Sequence, residues 1–202
     1  MTFIFLQTIL IFMNFSSALC TPKHDALDLN LVHPASTQQS QPVQVRYAIV
    51  NNDLQVSFQV NSPVLHKKDV YDSNDYPFQY DVAEVFITVD DPSAAKFSYY
   101  EFEVTPLGQV YDLRLDVVNG KRAGVDIEPV VTSARASATE WSATFVIPMA
   151  RIGWNGDVSR LRGNFFTIIG KSPRTYWSAF LPQQEKPNFH KPEFFQPLFD
   201  CK

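Results

Sequence analysis

The sequence predicts an all-β fold of antiparallel strands, and three observations carry that prediction. Apolar and polar residues alternate in short runs instead of recurring at the spacing of a helix face. Turn-forming residues punctuate the chain, among them 14 prolines. No strand pattern alternates with a helical one, which excludes the parallel sheets of α/β folds. Many short strands joined by turns bury their apolar faces by forming a sandwich or a closed barrel.

Taken in order, residues 3–13 are almost unbrokenly apolar, and Ser16 and Ala18 put small residues where a cleavage site after Ala18 needs them. Residues 1–18 therefore read as a signal peptide and the protein as exported to the extracellular space, cell surface or periplasm. No Lys or Arg precedes the run, so a hydrophobic first strand is the other reading. Cys20 also suggests lipid attachment, but Leu19 stands where a small residue is expected. Residues 19–42 are a polar lead-in with one short strand near 27–31, and residues 43–202 form the sandwich domain. Val43, Val45, Tyr47 and Ile49 alternate with polar residues, Asn51, Asn52 and Asp53 turn the chain, and Leu54, Val56, Phe58 and Val60 alternate again.

A long polar and aromatic loop occupies residues 61–80, a length usually functional or mobile. A strand over 81–89 sets Ala83, Val85, Ile87 and Val89 on one face and Val82, Glu84, Phe86 and Thr88 on the other. The next hairpin is expected to turn at Pro106 to Gln109, with Tyr100, Phe102 and Val104 facing the core beside Tyr111, Leu113, Leu115 and Val117. A four-residue loop would set Glu103 opposite Asp112 and Glu101 opposite Arg114, leaving a row of charges on the solvated face. Beyond a polar stretch at Asn119 and Gly120, strands are expected at 125–131, 140–147 and 163–169. A helical turn is expected at 149–154, and short strands at 176–180 and 197–200.

About 180 residues follow the leader, one domain's worth. No second apolar stretch is long enough to span a bilayer. A net charge of −4 argues against a nucleic-acid partner, because phosphate binding needs clustered Lys and Arg. Cys20 and Cys201 read as a disulfide tying the chain ends in an oxidising compartment; two unpaired buried thiols are the alternative. Neither has a second thiol or a histidine at metal-ligand spacing.

Catalytic motifs are missing, so a binding module is expected and not an enzyme. Glu101, Glu103 and Asp112 have the composition of a glycosidase pair, but alternation on a solvated face sets carboxylates side by side by default. Asp69, Asp72 and Asp75 have spacing tolerable for structural calcium without the glycine and glutamate of an EF-hand, so a surface loop is the expected reading. Two regions are dense in aromatics: Tyr71, Tyr76, Phe78 and Tyr80, then Tyr176, Trp177, Phe180, Phe189, Phe194 and Phe195. Flat rings stack on the apolar faces of sugars while carboxylates and amides bond the hydroxyls.

Several motifs taken together resemble the family 9 carbohydrate-binding modules and the DOMON-like superfamily around them. They are Asp81-Val-Ala-Glu-Val-Phe-Ile-Thr, the hairpin from Tyr99 to Asp112, Trp141 with Ile147-Pro148, Gly163-Asn-Phe, Trp177-Ser, and Phe189-His-Lys-Pro-Glu-Phe-Phe. The resemblance implies a β-sandwich of jelly-roll type that holds a sugar between two aromatic rings, with structural calcium in some members. It assigns the rings to Phe78 and Phe189, the strand glutamate to Glu84 and the amide to Asn188. Both rings are tryptophan in the best-known sugar-binding sandwich. Where members carry a cation or amide on neighbouring strands this chain has Glu103 and Thr167, and Gln196 stands where glycine would follow.

The expected function is thus carbohydrate binding, to a glycan or oligosaccharide, through Phe78, Glu84, Glu103, Asn188 and Phe189. A haem-binding role with Met149 and His190 as axial ligands is one alternative. A protein-interaction module of the cell envelope is another.

Overall fold

The computed structural model describes residues 20–34, 42–70 and 75–201. The expected leader, Tyr71 and Asp72 lie outside them. Strands are numbered in chain order. One sheet has five strands, ordered Val131–Ala136 (β10), Trp141–Pro148 (β11), Asp53–Val60 (β5), Val43–Val50 (β4) and Leu27–Asp28 (β2). The larger runs Asn30–His33 (β3), Thr175–Ser178 (β13), Arg162–Ile169 (β12), Val82–Thr88 (β6), Lys96–Val104 (β7), Val110–Val118 (β8) and Lys121–Asp126 (β9). Gln196–Pro197 (β14) also pairs with β12. Cys20–Pro22 (β1) pairs with Phe199–Cys201 (β15), and a Cys20–Cys201 disulfide closes that ribbon. The lead-in residues 20–33 contribute strands to the ribbon and to both sheets.

Alternation builds the space between the sheets. Val45, Leu54, Val56, Phe58, Trp141 and Phe145 meet Ala83, Val85, Ile87, Phe102 and Phe165 in one buried cluster. Here the pattern read from the sequence and the structure coincide. The Asn51-Asn52 turn has φ of 52° and 66°, the left-handed pair that a two-residue hairpin needs and asparagine tolerates.

The larger sheet is buried on its other face too. Val82, Phe86, Phe97, Tyr99, Leu115 and Phe166 form a second cluster, covered by Leu181, Phe189 and Phe195 from the chain's last third. β6 is consequently buried along its whole length. At Gly163 an added Cβ would lie 2.7 Å from the Phe86 carbonyl oxygen, so only glycine fits where β12 meets β6.

The hairpin of β7 and β8 corrects the expected register. Val104 pairs with Val110, so the loop spans residues 105–109 and has five residues, not four. One extra residue reverses which side chains share a face. Glu103 stands opposite Tyr111, Glu101 opposite Leu113, Tyr100 opposite Arg114 and Phe102 opposite Asp112. Tyr111, Leu113, Leu115 and Val117 therefore share the second face with Glu101 and Glu103, and those glutamates are buried, not solvated. Thr105 holds the loop by accepting from Gln109 N at 3.1 Å while its own amide donates to Gln109 O.

The strand expected at 125–131 is two. Asn119 and Gly120, with φ of 50° and 76°, turn β8 directly into β9, and residues 127–130 carry the chain across to β10 on the other sheet. Asp112 pins this crossing by accepting from Val130 N at 2.6 Å.

Burial pushes the Asp112 carboxyl up from 3.8 to about 6, outweighing the Val130 hydrogen bond and the Arg151 charge. The folded chain thus keeps a proton that the unfolded chain releases above pH about 4. This group's contribution is full below that pH and is lost as pH rises through about 6. A shift of about two units is worth about 3 kcal/mol. Asp112→Asn is expected to remove a fall of about that size between pH 4 and 7 in urea unfolding. An unchanged slope would mean that another group causes it.

Candidate functional site

The second face of the larger sheet is covered in part by Phe189 and Phe195, which lie over β12, β6 and β7, and beside them is a cavity of about 790 Å³. Glu84 and Phe86 of β6, Glu101 of β7, Leu113 of β8 and Ile168 of β12 form its floor. Two aromatic walls stand over them.

Phe78 belongs to the first wall, on a 3-10 turn over Pro77–Gln79 that proline starts and the Gln79 side chain braces by accepting from Tyr76 N at 2.9 Å. Its backbone is clamped on both sides. Phe78 N donates to Glu103 Oε2 at 3.1 Å, and Arg174 Nη2 donates to Phe78 O. The ring is 43% exposed, stacked on Tyr76 at 5.4 Å, and Tyr76 in turn meets Tyr111 edge-on at 5.3 Å.

The second wall is residues 187–190. Phe189 is only 8% exposed because its ring lies flat on Phe166 at 4.3 Å and meets the Tyr176 edge at 5.9 Å. Asn188 Oδ1 accepts from His190 N at 3.0 Å, which fixes the amide at the rim. His190 Nδ1 lies 3.0 Å from the Tyr99 hydroxyl, and Arg122 Nη1 donates to that hydroxyl at 3.4 Å. Burial pushes the Tyr99 phenol up to about 12.

Three carboxylates meet beneath these walls. Glu84 and Glu103 are cross-strand partners, and Glu101 lies two residues from Glu103 on the same face. Relative exposures are 2% for Glu84, 5% for Glu101 and 0% for Glu103. Burial raises all three carboxyls, Glu84 and Glu103 well above the ordinary range, with like charges next to each adding to the rise for those two.

Of the residues singled out in the sequence, the structure brings Phe78, Glu84, Asn188 and Phe189 to one cavity. Glu103 lies just below, holding the Phe78 backbone. Thr167 does not reach it, because it is in register with Ala83 and Trp177 on the face between the sheets, where its hydroxyl donates to Val82 O. The Glu101, Glu103 and Asp112 set is not assembled, since the five-residue loop turns Asp112 to the opposite face. Met149 is buried between the sheets and His190 rests on Phe86 and Tyr99 beyond the larger sheet, so the two cannot ligate one haem. In the long loop Asp69 pairs with Lys67, and Asp75 with Lys68 and the Tyr80 hydroxyl. Asp81, fully buried, ties that loop down by accepting from Leu65 N and Gly170 N, each at 2.6 Å.

Sequence reasoning missed Tyr111, Lys121 and Arg122 as lining residues, and Glu101 as part of the floor. Tyr111 and Glu101 were hidden by the hairpin register. Lys121 and Arg122 sit on an exposed edge strand whose only signal was the Asn119-Gly120 turn before it.

Comparison with known proteins supports the architecture. No protein-family model matches the sequence, and no curated protein is significantly similar to it. Among solved structures, a candidate carbohydrate-binding protein from Bacteroides uniformis superposes with a TM-score of 0.64 at 19% identity, over 88% of this chain and 84% of that one. A family 9 carbohydrate-binding module from Caldicellulosiruptor kristjanssonii, in complex with cellotriose, gives 0.56 at 18% identity over 84% and 80% of the two chains. A family 9 module from the same organism in complex with glucose gives 0.50 at 18% identity over 84% and 82%. The fold is therefore the antiparallel β-sandwich of family 9 carbohydrate-binding modules.

Proposed function

We propose that this chain is an exported carbohydrate-binding module that holds a glycan in the 790 Å³ cavity without chemistry. One observation carries the reading. The aromatic side chains Phe78, Tyr111, Tyr176 and Phe189 line, together with the floor carboxyls Glu84 and Glu101, a cavity of the size that binds small ligands. The fold neighbours bind cellotriose and glucose. Glu84, Asn188 and the rim cations Lys121 and Arg122 supply partners for hydroxyl groups. The Cys20–Cys201 disulfide supports export, since such bonds persist in oxidising compartments.

Phe78→Ala tests the reading with little confusion from stability, because the ring is 43% exposed. Removing a ring that a ligand would bury is expected to cost about 1.5–3 kcal/mol of binding, roughly tenfold to a hundredfold in Kd. Unfolding free energy should move by less than about 0.5 kcal/mol. A glycan array followed by affinity electrophoresis reads both proteins. Folded wild type that is retained by no glycan would overturn the proposal.

A further inference from the structure

Among the described residues no Lys or Arg side chain bonds the carboxylates under the cavity, and the nearest imidazole, His190, stops 4.0 Å from Glu101; that is the feature the sugar reading leaves unexplained. One ligand atom from each of Glu84, Glu101 and Glu103 lies within 4.8 Å of the others. Each residue is more than nine-tenths buried. Each also keeps one oxygen with no hydrogen-bond partner: Glu84 Oε1, Glu101 Oε2 and Glu103 Oε1. Three of the cations nearby bond other groups. His190 Nδ1 faces the Tyr99 hydroxyl and stops 4.0 Å from Glu101 Oε2, Arg122 donates to Tyr99, and Arg174 donates to Phe78 O. No Lys or Arg among the described residues forms an ion pair with any of the three.

Buried carboxylates without a partner are costly, and three together more so, unless they keep their protons, with Glu101 and Glu103 close enough to share one, or a cation displaces those protons. Glu84 and Glu101 both line the cavity floor, so the route to the cluster is through the cavity itself. We propose that Glu84, Glu101 and Glu103 hold one hard divalent cation, calcium, and that a glycan in the cavity binds through it. The second half rests on the carbohydrate reading above.

The donor set fits such an ion. It is all oxygen and anionic, which suits calcium and magnesium and not the softer metals that take thiolate or imidazole. Calcium accepts irregular coordination by six to eight oxygens and exchanges water for other neutral oxygens, whereas magnesium demands a near-ideal octahedron and dehydrates reluctantly. With one oxygen from each glutamate, and Glu103 Oε2 held by Phe78 N, the cluster leaves a calcium shell about half filled. Sugar hydroxyls entering between the aromatic walls are oxygen ligands of the kind it lacks.

The test uses the full protein stripped with EDTA and titrated with calcium chloride in a calorimeter. One calcium per chain is expected, with a calcium-dependent rise in melting temperature. Glu84→Gln and Glu101→Gln keep side-chain size and are expected to weaken calcium binding at least tenfold. Their melting temperatures without calcium should equal or exceed that of stripped wild type, which shows that they fold. Folded wild type that takes up no calcium, or variants that bind it as tightly as wild type, would overturn the site. Glycan retention lost in EDTA and restored by calcium supports the coupling. Retention that ignores EDTA overturns the coupling and leaves the sugar reading intact. Calcium uptake with no retention on any glycan removes the sugar reading instead and leaves the cation site standing.

Discussion

Replacing Cys20 and Cys201 together with serine is expected to lower the free energy of unfolding by about 5 kcal/mol, near the top of the range for one disulfide. The bond joins residues 181 positions apart, so it constrains nearly the whole unfolded chain. In the chain-entropy account its contribution grows with the logarithm of that loop and acts on the unfolded state, not on native contacts. The native ribbon of β1 and β15 is only three residues a side, so little in the folded state resists separation once the bond is gone. Lys23 and Asp200 add an ion pair at 3.5 Å that is exposed enough to contribute little. Urea unfolding of the double variant, and of wild type with and without reductant, measures the loss. The cavity lies on the far face of the larger sheet, so affinity at saturating fold should be unchanged. Equal stability of the serine protein and wild type would sink the entropic account.

The second large effect is expected at Phe166, which joins stability to binding. Its buried ring lies under Phe189 at 4.3 Å and meets Phe86 edge-on at 4.8 Å. Phe166→Ala should cost about 3–5 kcal/mol of stability through lost burial and the void left behind. It should also reduce glycan affinity, because Phe189 would lose the surface that sets its tilt. Phe165 supplies the control. It is one residue away but points between the sheets, against Tyr47 at 5.3 Å and Phe58 at 6.3 Å. Phe165→Ala should cost similar stability and leave affinity near wild type at temperatures where both variants are folded. Equal loss of affinity in the two would mean general loosening and would remove Phe166 from its role as a brace.

Much of the architecture was legible from side-chain alternation. The alternating apolar residues between Val43 and Val60 face the core as a period of two requires, because one face there is dry, and Ala83, Val85, Ile87 and Val89 do so although the other face of their strand is buried too. The parity of the β7 and β8 hairpin was not legible. Pro106 and Gly108 suit a loop of four or five residues equally, and β7 has apolar residues on both faces, Phe97 and Tyr99 on one and Tyr100, Phe102 and Val104 on the other, which offers no choice between them. That single ambiguity hid the buried character of Glu101 and the place of Tyr111. β9 escaped notice because an edge strand exposed along its length has no reason to alternate. Phe78, Glu84, Asn188 and Phe189 were found through family-like motifs, not through periodicity. Phe78 and Glu84 lie more than 100 residues from Asn188 and Phe189 in sequence, and nothing local tells a chain which segments will meet over a sheet.

Burial of the larger sheet on both faces divides the cavity into parts that tolerate change unequally. Phe86, Leu115 and Ile168 are at once lining and core, so a substitution there is judged first by whether the protein still folds. Phe78 sits on a surface turn, and Lys121 and Arg122 on an exposed edge strand, where replacement has little structural consequence. A library aimed at new ligands would therefore gain most from the rim and lose most from the floor. Drift in natural relatives would be channelled the same way, with the basin kept and its lip rewritten.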